Sequence, residues 1–338
     1  MLVAKYTLQP SWAAVAFAHR NRLKAKARSS IMGAGRWDQS AWSAYASRNV
    51  HGRSRDQIFA ARRMDAEFDP ARIRVRESRD SEDNPLSTPI ILASDVTGSM
   101  GMIAHELMNS GLNTLATEIY ERQPVTDPHI MVMAVGDART DSAPLQATQF
   151  EADIRIADQV RRLWLEGGGG GNGGESYSAA HVFAGLRTDS DSLSKRGKKG
   201  YLFTIGDEPI HDGMTRDELT SVFGEDPGRG LSARDCLALA KRSYDVFHVV
   251  ILQGFAGNNL GRVLRSWKPL LPGRLLLLDD HAQLAQVVVS AIQIAEGADP
   301  DTVSRSWSGP ASAAVARAVQ DIRAPSSSFG DGLRRLLG

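Results

Sequence analysis

The chain has 338 residues and one cysteine, Cys236. A single thiol excludes an internal disulfide and a thiolate metal cage, and it fits a reducing compartment. No apolar run approaches the roughly 20 residues that a membrane-spanning helix needs. Residues 1–20 contain Lys5, but Gln9, Pro10, Ser11 and His19 interrupt the apolar stretch, so no signal peptide is expected. Zincin spacing is missing too: His105-Glu106 has no second histidine four residues on, which argues against a zinc enzyme. Nor is there a strong overall charge. The formal net charge is +1, so no global field points to nucleic acid or to a membrane surface. These absences lead to the expectation of a cytoplasmic protein without a membrane span.

What is present describes a globular chain. With 42% hydrophobic and 23% charged residues it can bury one large core and carry extensions. Its charge is unevenly placed: residues 1–80 hold sixteen Lys and Arg against seven Asp and Glu, a net +9 that leaves −8 for the rest. Helices are expected at about 11–20, 38–49 and 55–67, packed on the main domain through Trp12, Phe17, Trp37, Trp42 and Tyr45. The basic run at 20–28 offers a second use, as a phosphate-binding arm, although no aromatic residues interleave it. Residues 71–76 alternate apolar and basic, which predicts an edge strand blunted by Arg72, Arg74 and Arg76. Residues 77–88 read as a loop.

Beyond residue 85 the pattern alternates. Strands are predicted at 90–95, 130–135, 201–205, 246–252 and 274–278, with a short hairpin partner at 145–150. Helices are predicted at 101–122, 153–165, 176–186, 216–223, 232–243, 258–267, 282–294 and 311–322. Thr215 is the expected N-cap of the fourth of these. An amphipathic end follows, with Leu333, Leu336 and Leu337 beside Arg334 and Arg335. The fold class is therefore α/β, a doubly wound and mostly parallel sheet of about six strands with a helical N-terminal extension. The division expected is a basic, largely helical extension at 1–80, a core domain at 85–298, and a C-terminal helix and tail at 299–338.

The chemistry concentrates where the first strand ends. Ile90-Ile91-Leu92-Ala93-Ser94 runs into Asp95, then Thr97 and Ser99 at alternate positions with Gly98 between them. Open α/β sheets bind ligands at the carboxyl ends of their strands. One carboxylate and two hydroxyls suit a hard cation such as Mg²⁺. A second apolar strand ends in Gly206-Asp207-Glu208-Pro209. Between the two lies a glycine run, 167–171, followed by Asn172, Gly173, Gly174 and Glu175. Glycines ahead of a helix let backbone approach a ligand closely. Lacking a terminal Gly-Lys-Ser/Thr, this run is not a P-loop. Asp137 ends the neighbouring strand and reads as a solvated loop acid, or as a secondary acidic point with Asp141. His105 and His211 read as surface or supporting residues near the same edge, and Cys236 as a small buried hydrophobe.

Asp95-Val96-Thr97-Gly98-Ser99 resembles the metal-ion-dependent adhesion site of von Willebrand factor A domains, written D-x-S-x-S, with Thr97 keeping the hydroxyl. The resemblance covers about residues 85–298 and points to the intracellular bacterial or phage type. It implies a metal held by Asp95, Thr97 and Ser99, with Asp207 matching the family's later acid. Mg²⁺ is implied, or Mn²⁺ or Ca²⁺. Where the family usually supplies a threonine, this chain has its glycine run and Glu175. Glu175 is either a ligand, with Ser176 and Asn172 behind it, or a first-turn acid complementing the helix dipole. As a ligand it leaves the loaded site at net −1, which disfavours a partner's carboxylate.

The resemblance implies a binding module that meets another protein, an AAA+ ATPase of MoxR type or a large assembly, and carries no chemistry. Two other readings stand beside it. Asp-x-Thr-Gly-Ser also resembles the nucleophile motif of haloacid dehalogenase-like phosphoryl transferases, with Asp95 as nucleophile, Asp207 and Asp212 as the later acids, and a lysine from 195–199. In the third, the basic region 1–80 binds nucleic acid while the core recruits a protein.

Overall fold

The computed structural model describes residues 35–168 and 173–322, apart from the side chain of Ser99. The expectations for a helix at 11–20, for the basic run, for Asn172 and for the amphipathic end lie outside these residues.

Among the described residues ten strands form one large sheet and two small ones. In chain order they are β1 (Arg76–Ser78), β2 (Thr88–Asp95), β3 (Pro128–Val135), β4 (Leu145–Ala147), β5 (Thr188–Ser190), β6 (Gly200–Gly206), β7 (Gly213–Met214), β8 (Leu231–Ser232), β9 (Tyr244–Ile251) and β10 (Leu275–Leu278). The central sheet has six strands in the order β10-β9-β6-β2-β3-β4. All its pairings are parallel except β3 with β4. This is the doubly wound arrangement read from the alternation of strands and helices.

Each central strand is buried on both faces because helices cover both. Alternate residues feed two separate cores. Ile90 and Leu92 of β2, Ile130 and Val132 of β3, and Phe203 and Ile205 of β6 enter one core. Ile91, Ala93, Met131, Met133 and Leu202 enter the other. The first core is closed by helices α1 (Gln39–Asn49), α2 (Arg55–Ile58), α3 (Gly101–Glu106), α4 (Leu112–Arg122), α5 (Arg155–Arg161), α11 (Leu284–Ala295), α12 (Pro300–Arg305) and α13 (Pro310–Val319). The second is closed by α6 (Tyr177–Leu186), α8 (Arg216–Phe223), α9 (Ala233–Ala240) and α10 (Gly254–Trp267). A short α7 (Asp191–Arg196) precedes β6.

Three expectations change. The helix expected at 101–122 is interrupted by a π turn at Leu107–Gly111. Its apolar stripe has a five-residue step from Leu107 to Leu112, and a π turn brings both onto the buried face where an α-turn would rotate one away. The edge strand expected at 71–76 begins instead at Arg76. Asp69 folds the preceding residues into a turn, its side chain accepting from Ala71 at 2.9 Å and its carbonyl from Arg72 and Ile73. Within 55–67 only Arg55–Ile58 is helical, started by a capping box between Ser54 and Gln57. The expected packing of this region holds in the described part: Trp42, Ala46 and Val50 join the first core, and Trp37 Nε1 donates to Asn113 Oδ1 at 3.0 Å.

In the second core two imidazoles flank an indole. His248 of β9 stacks on Trp267 with ring centroids 3.7 Å apart, and His181 of α6 meets the same ring edge-on at 6.3 Å. Both histidines are fully buried. His248 Nδ1 meets Thr204 Oγ1 at 2.9 Å, while both nitrogens of His181 and Nε2 of His248 have no hydrogen-bond partner among the described residues. Burial pushes His181 down to about 3 and holds His248 well below its ordinary value. The unfolded chain takes up these protons below its ordinary histidine pKa, near 6.5, whereas the folded chain does not, so this contribution to stability is lost as pH falls. Between pH 7 and pH 5, urea denaturation is expected to show His181→Leu gaining about 2 kcal/mol relative to the wild type. An unchanged difference would mean that His181 is charged in the fold.

Candidate metal centre

The sheet order reverses between β2 and β6: the chain leaves β2 toward β3 on one side and returns to β6 on the other. This is the switch point where a crevice opens beyond the carboxyl ends of the strands. Asp95 is the last residue of β2 and Asp207 follows β6 directly. The strands therefore deliver two acids side by side, both buried.

Gly206 makes their close approach possible. A side chain there would put its Cβ 1.9 Å from the Tyr177 hydroxyl and 3.0 Å from Asp95 Cβ. Without one, Tyr177 reaches past β6 and its hydroxyl donates to Asp95 Oδ2 at 3.4 Å. Asp95 Oδ1 accepts from Thr97 twice, from its backbone N–H and from Oγ1, both at 2.7 Å. On the other side Asp207 Oδ2 accepts from the Phe255 N–H in the first turn of α10 at 2.5 Å.

Glu175 arrives from the glycine loop and is fastened to the segment after Asp207. Its N–H donates to the Pro209 carbonyl at 3.0 Å, and its carbonyl accepts from His211 N–H at 3.3 Å. Gly174 lies so close to His211 that a Cβ would stand 2.8 Å from Nδ1, which explains a glycine there. Glu175 precedes the N-cap of α6, and the first turn of that helix contains no acid. The reading of Glu175 as a first-turn acid is therefore corrected: its side chain turns to Thr97, whose Oγ1 lies 3.1 Å from Glu175 Oε1.

Thr97 has one hydroxyl hydrogen and two carboxylate oxygens within reach. It cannot donate to both. Glu175 Oε2 is buried with no hydrogen-bond partner among the described residues. Two buried carboxylates thus share one donor, and either a proton or a cation must make up the difference. Burial, with Asp207 and Glu208 close by, raises Asp95 to about 8. Burial and then the Asp95 charge raise Glu175 to about 10. Burial raises Asp207 against the Phe255 hydrogen bond, and burial followed by Asp207 raises Glu208.

Among the described residues no three His, Cys, Asp or Glu side chains form a metal cage by themselves. The donor set is two carboxylates joined by a hydroxyl, with a third carboxylate alongside. That set suits a small hard cation that keeps several of its waters. Ser99 lies in the 3-10 turn Gly98–Met100 just after Thr97, with its side chain outside the described residues.

The residues around this centre correct three further expectations. Asp137 is fully buried, and its Oδ1 accepts from Ser176 Oγ at 2.9 Å and meets His211 Nε2 at 3.2 Å. It is a structural anchor, and Asp141 caps its N–H at 2.8 Å. Ser176 consequently faces β3 and not the acids. Arg139 donates to His211 Nδ1 at 3.1 Å, which fixes Nε2 as the protonated nitrogen facing Asp137. His105 stands apart, lining a surface hollow with Arg55 and Met102. The lysines at 195–199 precede β6, at the opposite end of the strand from Asp207. Seven residues of strand, roughly 20 Å, separate them from Asp95's edge. Two contributors were not expected from the sequence. Tyr177 looks like an ordinary core residue of an apolar helix face, and Glu208 like a loop acid. Only the glycine at 206 hinted that something passes close to β6.

No family model matches the chain, and no curated protein matches it. Among solved structures it is similar to the pilus adhesin SpaC from Lactobacillus rhamnosus GG in its open conformation, with a TM-score of 0.43, 10% identity, and coverage of 65% of this chain and 31% of the adhesin. A second crystal form of that adhesin gives 0.41 and 9%, covering 64% and 32%. The chain thus spans about a third of the adhesin's length. A likeness this distant carries no argument about function.

In metal-free protein the raised carboxyl groups favour the fold most below their unfolded pKa of about 4, and that contribution is lost as pH rises through their folded values. At pH 8 in EDTA, Glu175→Gln is expected to be more stable than the wild type by about 1–3 kcal/mol, and the gap is expected to close toward pH 4. Chemical denaturation at the two pH values checks this. A variant less stable at pH 8 would show that Glu175 is ionised and compensated without a cation.

Proposed function

We propose that the chain is a von Willebrand factor A-like protein that binds one divalent cation at the carboxyl edge of its sheet and meets another protein there. The ligands in this reading are Asp95, Thr97, Ser99, Glu175 and Asp207, and the cation is Mg²⁺, or Mn²⁺ or Ca²⁺. The observation that carries it is the buried Glu175 carboxylate, joined to Asp95 through Thr97 and left with an oxygen that nothing satisfies. A bound cation would neutralise these charges and offer its open positions to an oxygen from the partner.

Charge shapes the choice of partner. Three carboxylates around a divalent cation leave the site at net −1. Two opposite charges at contact attract by about 4 kcal/mol at an effective dielectric of ~20, and a like charge is repelled on the same scale. The cation is therefore held tightly and serves partly as structure, and a partner's carboxylate is a poor ligand. An AAA+ ATPase of MoxR type or a large assembly remains the partner class that the resemblance implies. Among the described residues no helix is long and apolar enough to cross a membrane. A cytoplasmic location belongs to the same proposal.

The phosphoryl-transfer reading loses support because the basic residues at 195–199 are committed elsewhere. Lys195 pairs with Asp80 and Asp191, Lys198 with Glu296, and Lys199 Nζ donates to the Lys241 carbonyl at 2.7 Å. None is available to a group on Asp95.

Calorimetric titration of Mg²⁺ and Mn²⁺ into EDTA-stripped protein tests the proposal. One ion per chain is expected for the wild type, with affinity reduced at least about 100-fold in Asp95→Ala and Asp207→Ala. Glu175→Gln is expected to bind the ion more weakly and an acidic peptide more tightly. A wild type that binds no ion overturns the metal reading. An acidic peptide that prefers the wild type overturns the charge argument alone.

A further inference from the structure

A second charged surface lies on the helices that close the second core. Residues 229–274 contain eight Lys and Arg against two acids, Asp235 and Asp245, within a chain whose net charge is only +1. Asp235 is held in the capping box of α9, where it accepts from Ser232 Oγ at 2.8 Å. Among the described residues none of the eight cations forms an ion pair with a carboxylate. Elsewhere the pattern differs: Arg79, Arg162 and Arg196, for example, each hold acids at 2.6–3.0 Å.

The fold gathers part of this set at one edge, while Arg262 lies at the other, donating to the Gly173 carbonyl at 3.0 Å. α9 runs back to the start of β9 at the amino edge of the sheet, whereas α10 ends over the middle of β9, where Trp267 stacks on His248, and residues 268–274 complete the return to that edge. There Lys199 Nζ donates to the Lys241 carbonyl at 2.7 Å, and Lys241 Nζ donates to the Leu270 carbonyl at 3.3 Å. Four residues on, the Arg274 guanidinium lies 4.7 Å from the Phe247 ring centroid, with a buried Nη1 that has no partner among the described residues. The three heads are fixed by main-chain carbonyls and a ring, not by acids. The Lys241 ammonium is held below its ordinary pKa, by burial first and then by Arg274, Lys199 and Arg234. A hollow lined by His211, Asp212, Arg234, Ser266, Pro269 and Leu270 leads from this surface toward the crevice. Arg265 and Lys268 stand exposed along α10.

We propose that this face, centred on Lys199, Lys241 and Arg274, binds the phosphate backbone of duplex nucleic acid without reading its sequence. Protein interfaces are built around buried apolar and aromatic anchors. This face has none: the single large hydrophobic side chain exposed among the described residues is Leu86, before β2. Single strands are held by stacking on exposed rings. Phe247 and Trp267 are buried here. What the face does offer is positive charge on Lys199, Lys241 and Arg274 that no carboxylate pairs with, Glu296 nearby being held by Lys198, and such charge matches a regular array of phosphates.

The test is fluorescence anisotropy of a labelled 20-base-pair DNA duplex with the full chain, titrated between 50 and 200 mM salt and repeated in EDTA. Affinity is expected to fall steeply with salt and to ignore EDTA. Lys199→Gln with Lys241→Gln should weaken binding at least about tenfold at 50 mM salt and lower the log–log salt slope by about 2, since each phosphate contact contributes close to 1. Both side chains are exposed, so the fold should be unaffected. Adding Arg274→Gln should lower the slope by about 1 more. Arg216→Gln with Arg317→Gln removes the same charge from paired positions elsewhere and should change nothing. The proposal is overturned if the wild type does not bind, or if the first double variant binds as the wild type does, which would move the site to the basic residues 20–28. It is overturned equally if both double variants lose the same affinity, or if polyglutamate displaces the duplex at equal charge, which would point to an acidic protein.

Discussion

One hydroxyl hydrogen stands between two buried carboxylates, and much of the molecule serves to hold that arrangement. Asp95 is fixed by β2, which β3 pairs along its whole length and β6 from Ile90 to Ser94. Glu175 is fixed by its backbone pairing with the segment after β6. Neither backbone can move away from the other without breaking a main-chain hydrogen bond. Isolated buried charges cost many kcal/mol, so such a pair persists only where the surroundings over-determine it. The surroundings here do: Gly206 lacks the side chain that would block Tyr177, Gly174 accommodates His211, and α10 contributes a peptide N–H to Asp207. The backbone keeps the two carboxyl groups together, where protons or, as proposed, a cation relieve their repulsion.

The frame was legible because it follows from periodicity. Unbroken apolar runs bounded by acids and glycines mark β2, β3, β6 and β9, and each falls within two residues of its expected limits. The π turn was written in the same pattern, as a five-residue step in an otherwise three-to-four-residue stripe. Asp95 and Asp207 were legible because strand ends in an open sheet have a known place in space. The strand after Asp69 was misplaced because a short acidic side chain outcompetes an alternating pattern locally.

What the sequence could not show were contacts across large separations. Tyr177 lies eighty-two residues from Asp95, and nothing in the composition of α6 distinguishes its phenol from the packing residues beside it. Asp137 looks like a loop acid because its partners, Ser176 and His211, come from two other crossovers. The basic face has the same character. Its cations are scattered from residue 199 to residue 274, and only the return of α9 and of residues 268–274 to one edge brings them together.

Lys199, Lys241 and Arg274 lie at the opposite end of the sheet from Asp95 and Asp207, for a reason that lies in the topology. Every parallel strand brings its carboxyl end to the acidic crevice and its amino end to the opposite edge. Lys199 precedes the strand that Asp207 follows, so β6 alone spans the two surfaces, roughly 20 Å apart at about 3.3 Å per residue. That exceeds the screening distance of about 8 Å at physiological salt, so neither surface cancels the field of the other. A divalent cation binding at the crevice, as proposed, would change the local charge by two and be almost unfelt at the basic edge. Coupling between the edges would have to travel through packing. α10 does not supply that link, because both its ends touch the acidic crevice: its first turn holds Asp207, and its last residue, Trp267, packs against Tyr177 and donates to the Glu208 carbonyl at 3.3 Å. The two edges would therefore respond independently to the metal and the polyanion proposed for them.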